Sequence, residues 1–402
     1  MRQTSLPCSF FRSMLATIER ADRRSRLVYQ EADDTFFLEL TKSNDGQYLF
    51  IKGSAQVTSE TRYIALPETG IFFLFSGDVD VFLRASTEGE AVPKPYLTFP
   101  RRENVNYTVE SHGPFFYFLT NEESINNWLF RVPKNLFGEA SQDEASVAKM
   151  YDERETIIEH REYVLIEGFS VRRANVLVYE RTTCHQIVRI MDVNPQTSDL
   201  IDFHYLDIAS AVGDNTMCYS IWPGSVDDEI ANLTKQVMWH TDDFRFTYTS
   251  FTTPQMVVDY HMKTRQSTVV HREVIPGYDR SLYSSRRSYA TGTDGTAIPI
   301  SIVWRKDLLA PQSGANPMLL HSYGAYGSST DPLFSGTRLS LLDRGFIFAI
   351  AHVRGGSEMG NRWYEEGKLG KKRNTMEDFI KCAEYLVRVF DSVLFFSIFF
   401  SY

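Results

Sequence analysis

A chain of 402 residues exceeds what one ordinary hydrophobic core holds, so length alone predicts two domains or a large repeat architecture and excludes a single small module. With 43% hydrophobic and 23% charged residues the composition is globular, and no window holds the roughly eighteen uninterrupted apolar residues of a membrane span. Acidic residues outnumber basic ones 51 to 42, and the net charge of −9 argues against nucleic acid and leaves cationic ligands as partners.

The charge divides unevenly along the chain. Residues 1–284 carry 28 Lys/Arg against 40 Asp/Glu, net −12, whereas residues 285–402 carry 14 against 11, net +3, so two regions of different character are expected. Cys8, Cys184, Cys218 and Cys382 are far apart, with no CxxC pair and no histidine at ligand spacing. Neither a disulfide framework nor a zinc site follows; reduced thiols in a cytoplasmic protein do. The opening stretch has two arginines, several Ser/Thr and no acid before Glu19, like a weak transit peptide without the apolar core of a secretion signal. Residues 1–25 are therefore read as a leader outside the folded body.

From residue 26 to 283 the chain is a succession of short β-type runs. TFFLELTKSNDGQYLFIKG (35–53), GPFFYFLTNEESINNWLFRV (113–132), EYVLIEGFSVRRANVLVYE (162–180) and DFRFTYTSFTTPQMVVDYHM (243–262) each hold two runs rich in Phe, Tyr and Val, broken by Asn, Asp, Gly or Pro. That is hairpin grammar. Anchored on Tyr48, Tyr117, Tyr163 and Phe246, the last two intervals suit one and two units of about 40–46 residues, the length of a four-stranded propeller blade, while the first does not. Periodicity alone leaves an irregular array of β-sandwiches open.

From Ser288 the pattern changes. IPISIVW (298–304), PMLLHSY (317–323) and GFIFAIAHV (345–353) are near-continuous apolar runs of the kind buried on both faces of a parallel or mixed sheet. In NTMEDFIKCAEYLVRV (374–389), Asn374 is an N-cap candidate with Glu377 three residues on, and Phe379, Cys382, Ala383 and Leu386 form a helical stripe. The last stretch, VLFFSIFFSY (393–402), is almost unbroken apolar and aromatic. It is too short to cross a hydrocarbon core of about 30 Å as a helix, and residues 391–402 are read as an aberrant hydrophobic tail foreign to the fold.

Among groups that could carry chemistry, there is no G-x-S-x-G, HExxH, P-loop or G-x-G-x-x-G. RGGSEMG (354–360) comes nearest to a nucleophile elbow, but Met359 stands where the second glycine must be, so Ser357 reads as part of a tight polar turn. LLHSYGAYGSSTDP (319–332) ends an apolar strand in alternating Tyr and Gly, at the carboxyl edge where α/β sheets place their ligand sites. Gly324 and Gly327 permit close backbone approach, so Tyr323 and Tyr326 could enter one cavity and a phenol could donate to a developing oxyanion. Spacing alone favours the blander reading, tyrosines packed under a strand-end turn.

SSRRSYATGTDGTAIPISIVWRKDL (284–308), the LLHSYGAYG segment and AHVRGGSEMGNRWYEEGKLGKKRNTMEDFIKCAEYL (351–386) together resemble the opening half of the hydrolase domain of the prolyl oligopeptidase family. HVRGGSEMGNRWYEEGK resembles the oligopeptidase B branch, which cuts after Arg or Lys, and the β-rich region is similar to the family's seven-bladed propeller. The resemblance implies an incomplete β-propeller of about five blades over 26–283 and a partial α/β-hydrolase domain over 284–390. It implies a serine oligopeptidase cleaving short basic peptides, without cofactor or metal and without nucleic-acid or membrane partners. Tyr323 matches the tyrosine that, with a backbone N–H, forms the oxyanion hole, and Tyr326 matches a tyrosine lining the pocket for the basic P1 side chain, where a ring face attracts a guanidinium. The family's nucleophilic Ser lies on an elbow after the helix ending near Val389, with the Asp and His further on, so His321 and His352 are not triad members. The acidic pair that confers Arg/Lys specificity also matches nothing in these 402 residues. Arg354 is expected to tie down its loop. A polypeptide of these residues is expected to be inactive alone; the alternative is a non-catalytic propeller module that binds basic peptides through its acidic surface.

Overall fold

The computed structural model describes residues 25–66, 73–76, 80–84, 94–138, 149–150, 152–223, 239–309, 316–390 and 393–398. The leader expected over 1–25 lies outside them, apart from Ser25. In chain order come β1 (Ser25–Gln30), β2 (Phe37–Lys42), β3 (Tyr48–Ser54), β4 (Ser59–Ala65), the hairpin of β5 (Phe73–Ser76) and β6 (Asp80–Arg84), and β7 (Tyr96–Leu97). Three further groups of four follow: β8 (Tyr107–His112), β9 (Phe115–Thr120), β10 (Trp128–Pro133) and β11 (Glu155–Ile158); β12 (Leu165–Arg172), β13 (Asn175–Thr182), β14 (His185–Val193) and β15 (Leu200–Tyr205); β16 (Tyr219–Pro223), β17 (Asp243–Ser250), β18 (Thr253–His261) and β19 (Gln266–Arg272). Strands β2-β3-β4-β7, β8 to β11, β12 to β15 and β16 to β19 form four antiparallel four-stranded sheets, and β1-β6-β5 forms a three-stranded one. These are stacked propeller blades, five sheets in all among the described residues, as the resemblance implied.

The stacking explains why the strands are apolar on both faces. On β9, Phe116 and Phe118 pack with Phe50 and Tyr63 of the preceding blade, while Tyr117 and Leu119 pack with Ile166, Val176 and Val178 of the following one. A side-chain period of two thus sends alternate residues into different inter-blade cores. Each fully buried side chain of this size contributes about 1.5–3 kcal/mol. The next interface is built the same way, with Leu177, Val188 and Ile190 against Phe244, Phe246 and Val258.

The expected repeat of 40–46 residues is corrected. The second strands of successive blades begin at Tyr48, Phe115, Asn175 and Asp243, which are 67, 60 and 68 residues apart. Tyr163, taken as an anchor on sequence, belongs to the β11–β12 connection and is exposed. Long connections within the blades, from β4 to β7, β10 to β11 and β16 to β17, lengthen the unit, so one misplaced aromatic produced a false period.

The last sheet comprises β20 (Tyr283–Thr291), β21 (Ala297–Arg305), β22 (Pro317–Ser322), β23 (Ile347–Ala351) and β24 (Val393–Ile398), in the order β20-β21-β23-β22-β24. The three strands β23, β22 and β24 run parallel. Helices α1 (Gly336–Leu342), α2 (Asn361–Glu365) and α3 (Lys372–Phe390) connect them. One face, with Ile298, Ile300, Ile302, Ala349 and Ala351, packs on Phe379, Cys382, Ala383 and Leu386 of α3, so the helical stripe is as expected. The other face, with Val303, Phe348 and Ile350, packs on Leu342 of α1 and on Cys218 and Phe251 of the propeller.

Two expectations are corrected in this half. Asn374 does not cap α3: a 3-10 turn over Leu369–Lys371 feeds the helix two residues earlier, and the Asn374 side chain instead donates to the Glu366 carbonyl. Val393–Ile398, set apart on sequence as foreign tail, pairs with β22 along its whole length. An unbroken apolar run is the composition of a parallel strand covered on both faces. The rest of 391–402 lies outside the described residues. None of the described helices is long and apolar enough to cross a membrane, and no cluster of three or more His, Cys, Asp or Glu among the described residues could hold a metal ion.

Candidate active site

Strand β22 is alternately buried at Met318, Leu320 and Ser322, and its carboxyl end delivers the chain into the loop of Tyr323 and Tyr326. Three residues of that loop hold left-handed backbone: Gly324 at φ 62°, Tyr326 at φ 56° and Gly327 at φ 64°. Gly324 has no substitute there, because an added Cβ would stand 2.5 Å from Val353 Cγ2 and 2.7 Å from Thr375 Cγ2. A non-glycine residue with positive φ is held by its surroundings, and Tyr326 is one.

Those surroundings are the RGGSEMG turn that follows β23. Gly327 donates its N–H to the Gly355 carbonyl at 3.0 Å, Ser329 and Ser357 share a hydroxyl hydrogen bond at 3.0 Å, and Thr330 donates its N–H to Glu358 Oε1 at 2.9 Å. Lys372, at the start of α3, donates from Nζ to the Gly324 carbonyl at 2.5 Å. Gly355, at φ 105°, lies so close that a Cβ would meet the Gly324 oxygen at 2.1 Å. Ser357 is buried in this clamp and is no nucleophile elbow.

Arg354 ties the turn down, as expected. Its backbone N–H, Nε and Nη2 all donate to Asp378 on α3, at 3.0, 2.9 and 2.6 Å, and Nη1 donates to Asp294 at 2.6 Å. Hydrogen bonds to Asp378, then Asp294, raise the arginine's pKa above its ordinary value.

The two tyrosines stand differently. Tyr323 is half-buried, and its hydroxyl takes no hydrogen bond among the described residues. Tyr326 is 58% exposed. Neither borders the cavity of about 200 Å³ between the last two blades, which is lined by Tyr179, Trp222, Pro223, Phe244 and Phe246.

Sequence reasoning missed a buried constellation beside the loop. Ser301 Oγ lies 2.6 Å from His352 Nε2, and His352 Nδ1 lies 3.7 Å from Glu358 Oε1. The residue types imitate a Ser-His-Glu triad. All three are at most 2% exposed, however, and burial pushes the His352 pKa below its ordinary value, leaving the ring neutral. With no room for a reacting carbonyl this is an internal polar network. His321, on β22, is partly buried beside β23.

The propeller reaches the same loop. Arg181 Nη1 and Nη2 grip Asp331 at 2.8 and 3.2 Å, Ser220 donates to Asp331 at 3.3 Å, and Cys184 donates its N–H to the Glu358 carbonyl at 2.9 Å. Arg181 and Asp331 are 150 residues apart, and no local motif signals their meeting.

Residues 14–273 match the family model described as the N-terminal β-propeller domain of prolyl oligopeptidase, and residues 332–391 match that of the prolyl oligopeptidase family. The chain is 32% identical over 363 residues to dipeptidyl aminopeptidase BI of Pseudoxanthomonas mexicana, covering 90% of this chain and 42% of that protein. It is 30% identical over 384 residues to protease 2 of Moraxella lacunata, covering 95% and 46%. Its fold is similar to that of oligopeptidase B from Leishmania major, with TM-score 0.72 at 29% identity over 92% of this chain and 46% of that one. Oligopeptidase B from Trypanosoma brucei with covalently bound antipain is similar at TM-score 0.72 and 26% identity, with the same coverage. The chain spans under half the length of these relatives. A propeller of four-stranded blades, a mixed sheet with its tyrosine loop clamped by an RGG turn, and matches over most of the sequence agree: the chain belongs to the prolyl oligopeptidase family.

Proposed function

We propose that these 402 residues are the propeller and the first part of the hydrolase domain of a serine oligopeptidase that cleaves short peptides after Arg or Lys. The observation that carries this reading is the Tyr323 hydroxyl. It stands uncommitted among the described residues, half-buried at the carboxyl end of a parallel strand, on a loop whose backbone is locked from three sides. An oxyanion donor must be fixed in place before the charge develops and must not be spent on a protein acceptor.

In the acyl transfer this assigns, a serine supplied by sequence outside these 402 residues attacks the scissile carbonyl, and Tyr323 donates its O–H to the oxygen that becomes negative. One such donor is worth roughly 10²–10³ in rate, whereas loss of triad members costs about 10⁴–10⁶. Tyr326 offers its exposed ring to the P1 guanidinium or ammonium, an attraction of about 0.5–1 kcal/mol at an exposed site. The propeller restricts access to short peptides.

Fluorogenic peptides ending in Arg, Lys, Pro or Ala test the reading on the purified polypeptide. Arg and Lys peptides are expected to bind without turnover, and Tyr326→Ala to weaken that binding roughly two- to fivefold. Equal binding of Arg and Ala peptides would overturn the specificity. Turnover sensitive to a serine-directed phosphonate would overturn the placement of the triad.

A further inference from the structure

The loop that carries both tyrosines is held by two separate parts of the molecule. On one side is the RGG turn: Glu358, 2% exposed, accepts the Thr330 N–H on Oε1, and the neighbouring Ser357 holds Ser329. On the other is the propeller: Arg181, whose side chain is 3% exposed, makes a two-pronged contact with Asp331, one residue after Thr330. Its Nε is taken by Glu167 at 2.5 Å, which fixes the orientation of the guanidinium fork. Thr249, on the next blade, accepts the Phe334 N–H through Oγ1 at 3.2 Å.

The two holds are joined to each other. Glu358 accepts from Thr330 through its side chain and from Cys184 of the β13–β14 turn through its own carbonyl. Arg181 lies three residues before Cys184 on the same hairpin. A displacement of this hairpin therefore pulls on residues 330–331 by two routes, through Arg181 to Asp331 and through Glu358 to Thr330. Between Tyr323 and Thr330 the backbone makes one hydrogen-bonded turn, Ser328 N–H to the Ala325 carbonyl, holds three left-handed residues and is tied at Gly327 to the Gly355 carbonyl, so a pull on residues 330–331 is passed toward Tyr323 through few free torsions.

We propose that Arg181 and Glu358 are positioning residues, through which the docking of the propeller hairpin sets the placement of Tyr323 and Tyr326. The proposal rests on the assignment of those phenols given above but is read out independently of it. Arg181 and Glu358 touch no reacting atom; they act on the loop.

The test uses the full 402-residue chain with fluorotyrosine at position 323, in wild type and in the variants Arg181→Met, Glu358→Ala, Glu358→Gln and, as control, Lys381→Met in an exposed pair on α3. Two quantities are measured: amide hydrogen exchange across residues 324–332 and the fluorine resonance at 323. R181M and E358A are expected to accelerate exchange there at least about tenfold and to shift or broaden the resonance. E358Q keeps an acceptor for the Thr330 N–H and is expected to stay within about twofold of wild type, as is K381M. A role in general stability would accelerate exchange throughout β20–β23 as well, and that pattern would overturn the proposal. So would wild-type exchange and resonance in R181M. An E358Q effect as large as that of E358A would remove Glu358 from the assignment. Arginyl-peptide affinity measured on the same proteins separates the two readings: failure of every protein to bind the peptide falls on the proposed function, while the exchange and resonance data still decide the coupling.

Discussion

Replacing Arg354 by Met asks how much the RGG turn depends on its buried ion pair. Asp378 is 1% exposed and receives three of its hydrogen bonds from Arg354, two of them from the guanidinium. Methionine fills much of the same volume but leaves the carboxylate with only the backbone N–H, and breaking a buried pair on one side costs about 3–5 kcal/mol. The second partner, Asp294, is largely solvated and loses little. Asp378→Asn removes the charge yet keeps an acceptor for the backbone N–H, so about 1.5–3 kcal/mol is expected. In R354M/D378N the buried charge is gone with its partner, and the double variant should be less destabilised than the sum by at least about 1 kcal/mol. Amide exchange along α3, measured in the native state by mass spectrometry, reads the opening free energy of this half of the molecule. Additivity within about 0.5 kcal/mol, or a loss below about 1 kcal/mol in R354M, would refute the claim that the turn is anchored by this pair.

Gly324→Ala places a methyl within 2.7 Å of two side chains at φ 62°, and a loss of at least about 2 kcal/mol is expected, visible as a lowered urea midpoint. Burial pushes the pKa of His112, His185 and His352 below the ordinary 6.5, so below that pH the unfolded chain binds more protons than the folded one. The urea midpoint should therefore fall as the pH drops from about 6.5 to 5 and be flat in these groups above it; a midpoint that rises on acidification contradicts the assignment. Asp294 is held down at about 2 by hydrogen bonds from Thr296, then Arg354, and its contribution should vanish only between pH 3.8 and 2. Burial raises the thiols of Cys184, to about 12, and of Cys218 and Cys382, so none of the three should react with a disulfide reagent at pH 8 until urea is added.

Local chemistry made a good part of this fold legible. The continuous apolar runs at 298–304, 317–323 and 345–353 became adjacent strands of one sheet, because strands covered on both faces need no polar alternation. The stripe of Phe379, Cys382, Ala383 and Leu386 faces that sheet as its spacing required. The helix start was misread because a 3-10 turn over Leu369–Lys371 runs straight into α3 and the Asn374 side chain bonds back to the Glu366 carbonyl instead of capping. The blade period was misread because Phe and Tyr mark both strands and connections, and Tyr163 belongs to the latter. At the site, Tyr323 and Tyr326 were visible through their glycines. Arg181, Glu358 and Lys372, which hold that loop, were not, since each meets its partner only after the fold is complete.

Arg287 crosses from β20 to the propeller, donating to the carbonyls of Thr183, Cys184 and Met217 at 3.4, 3.5 and 3.1 Å. It also lies on the strand where the chain passes from blades to sheet. The three carbonyls belong to two separate loops of the propeller, the β13–β14 turn and the segment entering β16, so a single planar cation staples both of them to the first strand of the mixed sheet.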